Sequence, residues 1–191
     1  KNLQCGEGGA LVMRDPEHVE RAEIMREKGT NRSAFHRGAI DKYSWVDIGS
    51  SYLPSDLLAG VLLAGLDEFA DIQRRRHHVW SSYDDALRTW AGTVGAQQPT
   101  VPEGCAHPAH LYYLLMPQPE QQGALIRHLA AAGVHATFHY VPLHSSAARR
   151  RLRRTGTSCA VTDDGSAMLV RLPLFPELDD LKPREYKGWA R

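Results

Sequence analysis

Apolar positions along the chain change their spacing several times, and each change marks an element. Ala10-Leu11-Val12-Met13 is a short unbroken apolar run, which predicts a buried strand. Asp15 follows as a cap with Pro16 at the first helical position. Val19, Ala22, Ile24 and Met25 give that helix an apolar face to about residue 28, where Gly29 stops it. Residues 29–53 have no clear period. A connection that long is usually functional or disordered, and Phe35, Tyr43, Trp45 and Ile48 argue against disorder. Over 54–90 the pattern is helical: Leu58, Leu62, Leu66, Phe69, Ile72, Val79, Tyr83, Leu87 and Trp90 recur at spacings near three and four. This predicts one bent helix or two.

Residues 91–109 hold Gly92, Gly95, Pro99, Pro102, Gly104 and Pro108, the chemistry of a linker. A compact α/β pattern follows. It comprises a strand over 110–116, a helix over 119–132 stopped by Gly133, a strand over 134–141 and a strand over 168–172. An arginine-rich stretch, 148–154, separates the last two strands, and residues 180–191 are polar without an amphipathic period.

Composition acts mainly by exclusion. The chain has 191 residues, 42% hydrophobic and 24% charged, ordinary values for a globular protein with a real core. A formal net charge of +1 points to neither a nucleic-acid binder nor a membrane-surface protein. Arg74-Arg75-Arg76 and Arg149-Arg150-Arg151 with Arg153-Arg154 are basic clusters, read as solvated faces; the second could attract a nucleotide diphosphate. No apolar run approaches the roughly 20 residues of a membrane helix. Cys5, Cys105 and Cys159 are scattered and odd in number, which fits a reducing, cytoplasmic setting rather than a disulfide framework. Histidines are numerous, but His107-Pro108-Ala109-His110 surrounds a proline, His77-His78 sits in a charged helix, and no pair follows the HExxH spacing. No metal site is expected.

The candidate chemistry lies in ordered segments. Lys1-Asn2-Leu3-Gln4-Cys5-Gly6-Glu7-Gly8-Gly9 is glycine-rich and permits close backbone approach. Gly29-Thr30-Asn31-Arg32-Ser33 follows a helix, Gly49-Ser50-Ser51-Tyr52-Leu53 precedes the long helical stretch, and His139-Tyr140-Val141-Pro142-Leu143-His144 ends a strand. Each alone reads as a turn, a packed loop or a strand edge stopped by proline.

Taken in order, the series "KNLQCGEGGALV", "RAEIMREKGTNRS", "DKYSWVDIGSSYLPSDLLAG", "FHYVPLHSS" and "VRLPLF" resembles the DegT/StrS sugar aminotransferase family over roughly residues 1–178. The resemblance implies an α/β chain of the aspartate-aminotransferase type (fold type I), with a small α/β C-terminal domain. Residues 1–53 would end the large cofactor domain, 54–99 form a bridging helix and linker, 100–178 the small domain and 179–191 an irregular tail. It implies pyridoxal 5′-phosphate (PLP) as cofactor, glutamate as amino donor, a nucleotide-linked 4-keto-6-deoxyhexose as acceptor, and a homodimer. Lys1 stands where the family has its PLP-binding lysine. Since family chains continue well upstream of that lysine, a piece of a longer protein is expected. Ser51 stands where relatives carry the asparagine that reaches the partner subunit's PLP phosphate. A serine hydroxyl can donate to phosphate, at shorter reach. Asn31 and Arg32 are further candidates for anionic groups of cofactor and substrate, and Tyr140, before His144, for the sugar nucleotide.

Overall fold

A computed structural model of the chain describes residues 2–152 and 158–180. It separates into two units between Glu68 and Phe69, with Asn2 grouping with the second.

The N-terminal unit, Leu3–Glu68, is built on turns and backbone pairing. Asp15 caps a 3-10 turn, Pro16–His18, by accepting the Glu17 N–H at 3.0 Å. Helix α1 follows as Val19–Arg26. It ends in a Schellman-type turn in which the Gly29 N–H reaches the Ile24 carbonyl at 2.8 Å. Lys28 takes the left-handed position just past the helix, at φ 64°, and Gly29 follows at φ 76°. Gly29 is thus one residue beyond the stop that sequence assigned to it. The chain from Met25 to Lys28 pairs with the Ser50–Tyr52 segment through the bonds Ser50 N–H to Met25 O, Lys28 N–H to Ser50 O and Tyr52 N–H to Arg26 O. Helix α2 is Arg32–His36 and helix α3 is Asp56–Asp67, the latter capped by the Ser55 side chain.

The predicted strand over 10–13 is absent: the segment is irregular, with Leu11 and Val12 exposed. A strand is a paired object, and no described segment lies beside this run to complete its hydrogen bonds. Among the described residues the unit buries no hydrophobic side chain; only Gly29 and Thr30 are buried.

The C-terminal unit has a core. The helical stretch predicted over 54–90 is two helices broken at Glu68, and the second, α4, runs Phe69–Val94. It buries Arg76, Val79, Leu87 and Ala91. Strand β1 is Tyr112–Leu115, helix α5 Pro119–Ala131, β2 Thr137–Phe138, α6 Ala147–Arg151, α7 Ala160–Met168 and β3 Leu169–Leu172. The sheet is antiparallel in the order β1-β3-β2. Alternation on β1 and β3 sends Tyr112, Leu114, Val170 and Leu172 inward, onto Leu87, Met116, Leu129 and Ala136. A capping box between Gln118 and Gln121 opens α5, with Pro119 at its first position.

Two expectations change here. The strand predicted over 134–141 shrinks to two residues: among the described residues it pairs only with β3, and there only at Arg171 and Val170. Arg76, read as part of a solvated basic face, is 3% exposed. Its guanidinium donates from Nε to the Ala109 carbonyl at 2.9 Å and from Nη2 to the His110 carbonyl at 2.7 Å. Ala109 sits at φ 47°, a left-handed conformation unusual for alanine, and Arg76 braces that turn. Burial lowers the Arg76 pKa, while the nearby Glu177 carboxylate opposes the shift.

Candidate functional site

Lys1 lies outside the described residues. Its neighbour Asn2 is well anchored: the Nδ2 group donates to the Gln73 side-chain oxygen and to the Pro108 carbonyl, while Oδ1 is buried without a partner. The anchor therefore belongs to the C-terminal unit, at the turn that Arg76 braces.

In the N-terminal unit, Asn31 and Arg32 open α2. The Asn31 Oδ1 accepts the Ser44 N–H at 2.8 Å, and the Asn31 N–H returns a bond to the Ser44 carbonyl. That leaves the Nδ2 group as the donor it can offer. Arg32 is exposed, donates from Nε to His36 Nε2 at 3.1 Å and lies 5.7 Å from the Tyr43 ring centroid. Ser51 is exposed and bridges to Glu27 through the backbone; no described residue engages its hydroxyl. Asn31 and Arg32 are thus held together beside Ser44 and Tyr43, whereas Ser51 sits on the pairing with α1. A hydroxyl, an amide N–H and a guanidinium are the donors a phosphate takes. In that respect the residues present fit the phosphate end of PLP. None of them supplies an acid for its pyridine nitrogen.

In the C-terminal unit, Tyr140 and His144 differ in state. Tyr140 is 76% exposed, and its ring lies 5.4 Å from that of His139. His144 is half-buried and bonds through Nε2 to the Asp163 carboxylate at 2.8 Å. The carboxylate holds the ring through Nε2, so Nδ1 is the ring nitrogen not used in that bond.

Sequence reasoning passed over the neighbourhood of the Asn2 anchor. His107 lies against the Trp80 ring at 4.4 Å and the His77 ring at 4.8 Å. Its pKa is lowered, first by burial and then by the charges of His77 and His110. Burial also lowers His110, with the positive charges of Arg76 and Arg171 and the ring of His139 adding to the effect. The only signal in sequence was the pair of histidines around Pro108, which was weighed as a metal motif. Asp15, Glu17 and His18 are the one place where described residues gather three potential ligand atoms; all are exposed, and Asp15 is committed to its cap.

The two lowered histidines give a pH expectation. The unfolded chain protonates them near the ordinary value of about 6.5, whereas the folded chain resists the proton. Their contribution to stability is therefore complete above that value and is lost as pH falls toward the lower folded pKa. Thermal unfolding of the C-terminal unit should shift to lower temperature between pH 7.5 and 5.5. A His107→Gln, His110→Gln double variant should flatten that dependence.

Comparison with known proteins supplies the class. A structure of the aminotransferase TlmJ from Streptoalloteichus hindustanus superposes with a TM-score of 0.79 at 26% identity, over 98% of this chain and 47% of that one. The PLP form of Spr1654 from Streptococcus pneumoniae superposes with a TM-score of 0.69 at 22% identity, over 93% of this chain and 42% of that one, a likeness of fold. The fold is thus the α/β fold of PLP-dependent sugar aminotransferases. The profile of the DegT/DnrJ/EryC1/StrS aminotransferase family matches residues 1–184, and the chain belongs to that family, one of PLP enzymes. A curated relative, the dTDP-4-dehydro-2,3,6-trideoxy-D-glucose 4-aminotransferase of Saccharopolyspora spinosa, is 25% identical over 189 residues, 96% of this chain and 47% of the relative. The chain spans about half the length of such relatives. No helix among the described residues is long and apolar enough to cross a membrane.

Proposed function

We propose that this chain carries the lysine-bearing part of a PLP-dependent aminotransferase that moves an amino group from glutamate to the C4 ketone of a nucleotide-linked 4-keto-6-deoxyhexose. The observation that carries it is the family match over residues 1–184, which begins at Lys1 directly before the glycine-rich segment. The motif series resembles dTDP-4-amino-4,6-dideoxygalactose transaminase, and the relative from S. spinosa is named for a 4-dehydro sugar aminated at C4. The reading includes a cytoplasmic homodimer with no nucleic-acid or membrane partner.

When bound, PLP supplies an electron sink for charge developing at the donor α-carbon. Lys1 Nζ would be the group that holds the cofactor, and as a free amine it would be the base for the donor's α-proton. For that it must be uncharged, a state that burial and nearby positive charge favour. Ser51 Oγ donates to the cofactor phosphate across the subunit interface, and the Asn31 amide donates nearby. Arg32 offers its guanidinium to the substrate's anionic groups. Tyr140 packs its ring on the hexose, and His144, steadied by Asp163, presents Nδ1.

A second reading has its own observation. The N-terminal unit buries no hydrophobic side chain among the described residues; on this reading the chain is catalytically silent until the upstream half of the family fold completes that unit. An absorbance spectrum of the chain with PLP, with Lys1→Ala as control, separates the two. A band near the visible edge that is lost in the variant and shifts with glutamate establishes Lys1 as the cofactor lysine of a self-sufficient chain. A Lys1-dependent band only on co-expression with the upstream half supports the second reading. No such band in either case sinks both.

A further inference from the structure

The face of the C-terminal sheet opposite the core carries positive groups that no acid answers among the described residues. Arg171 lies on the central strand β3, cross-strand from Tyr113 on β1 and Thr137 on β2. Its neighbours Val170 and Leu172 face the core, so alternation turns Arg171 to the other side. His139 stands two residues beyond Thr137. The Arg171 Nε and the His139 Nδ1 are both buried without a hydrogen-bond partner. His110 feels both of these side chains, and Arg76 as well. Arg76 already has two backbone carbonyls and the charge of Glu177. Among the described residues, no carboxylate pairs with Arg171, His139 or His110.

A half-buried guanidinium with no counter-charge beside it has lost hydration that an anion on its terminal nitrogens would offset. We propose that Arg171 and His139, with His110 beside them, form a binding site for an oxyanion group on the face of this sheet opposite the core. The guanidinium offers its terminal nitrogens side by side, a match for two oxygens of one anion. An imidazole N–H adds a donor from a second direction. The ligand is a molecule bearing a carboxylate or a phosphate, and the site does not depend on the transamination reading.

The test uses the 191-residue chain and two probes, inorganic phosphate and glutarate, titrated at pH 7 by calorimetry and by the histidine ring signals in NMR. At least one probe is expected to bind saturably and to move the His110 and His139 signals. Arg171→Gln should weaken that binding at least tenfold, and Arg171→Lys should restore part of it. His139→Gln, at the end of the short edge strand, should weaken it independently, with circular dichroism checking the fold of each variant. Tighter phosphate binding assigns a phosphorylated ligand; tighter glutarate binding assigns a carboxylate. No saturable binding of either probe, or equal affinity in the folded Arg171→Gln and His139→Gln variants, overturns the proposal.

Discussion

Tyr112→Ala is expected to lower the unfolding free energy of the C-terminal unit by about 3–5 kcal/mol, the range for truncating a fully buried aromatic. Tyr112 is 0% exposed and belongs to the cluster of Leu87, Leu114, Leu129 and Val170. Its ring lies 5.4 Å from Trp80 and 5.3 Å from Tyr83, both on α4, so it joins the sheet to the helix. Its hydroxyl accepts from Gln98 Nε2 at 2.7 Å and approaches the Asp84 carboxylate at 3.4 Å. The phenol pKa is pushed up to about 12, chiefly by burial, with Asp84 adding to it. Tyr112→Phe keeps the ring contacts and leaves Gln98 Nε2 with the Asp84 carbonyl at 2.7 Å. Its cost should be only about 1 kcal/mol. Urea denaturation of both variants separates packing from hydrogen bonding; equal losses would mean that the hydroxyl network, not the ring, holds the unit together.

Gly29→Ala should have an effect of comparable size by another route. A Cβ on Gly29 would lie 1.9 Å from the Asp47 carbonyl oxygen, and one on Gly49 would lie 2.1 Å from the Gly29 nitrogen. Two backbones meet here with no room for a side chain on either. Gly29 also sits at φ 76°, so alanine adds conformational strain to overlap. The expected loss is about 3 kcal/mol or more. Gly38→Ala is the control: its φ is 73°, but nothing lies within 4 Å of the added carbon. It should show the left-handed penalty alone, roughly 1–2 kcal/mol. Hydrogen exchange across residues 25–53 would report both, and equal protection loss in the two variants would refute the interlock.

These sites also show what sequence could reveal. Helix α5 was legible because Pro119 and Gly133 punctuate it and its period is local. Strand β1 was legible as a compact apolar run, and β3 as a short apolar stretch broken only by Arg171. The run at 10–13 looked the same, and differs only in lacking a neighbour, which no local pattern reports. The break at Glu68 carries no glycine or proline to announce it. Arg76 looked like its neighbours in an arginine run; only the three-dimensional turn at Ala109 shows why one of the three is inside. The candidate residues Lys1, Asn31, Arg32, Ser51, Tyr140 and His144 came from resemblance rather than from spacing. The group around Arg171 was invisible because its members, His110, His139 and Arg171, are far apart along the chain and are brought near one another only by the folding of the sheet.

The strand order β1-β3-β2 bears on how this polypeptide is born. The two outer strands do not touch each other, and the strand that joins them is the last to be translated. A nascent chain exposed only as far as α7 has its helices and its outer strands but no sheet for them to cover. Its apolar segments, Tyr112 and Leu114 among them, must wait on the ribosome for Val170 and Leu172. Synthesis that stalls or stops before residue 169 should therefore yield a product lacking the whole sheet, not one missing a single edge, and such a product is a natural client for chaperones.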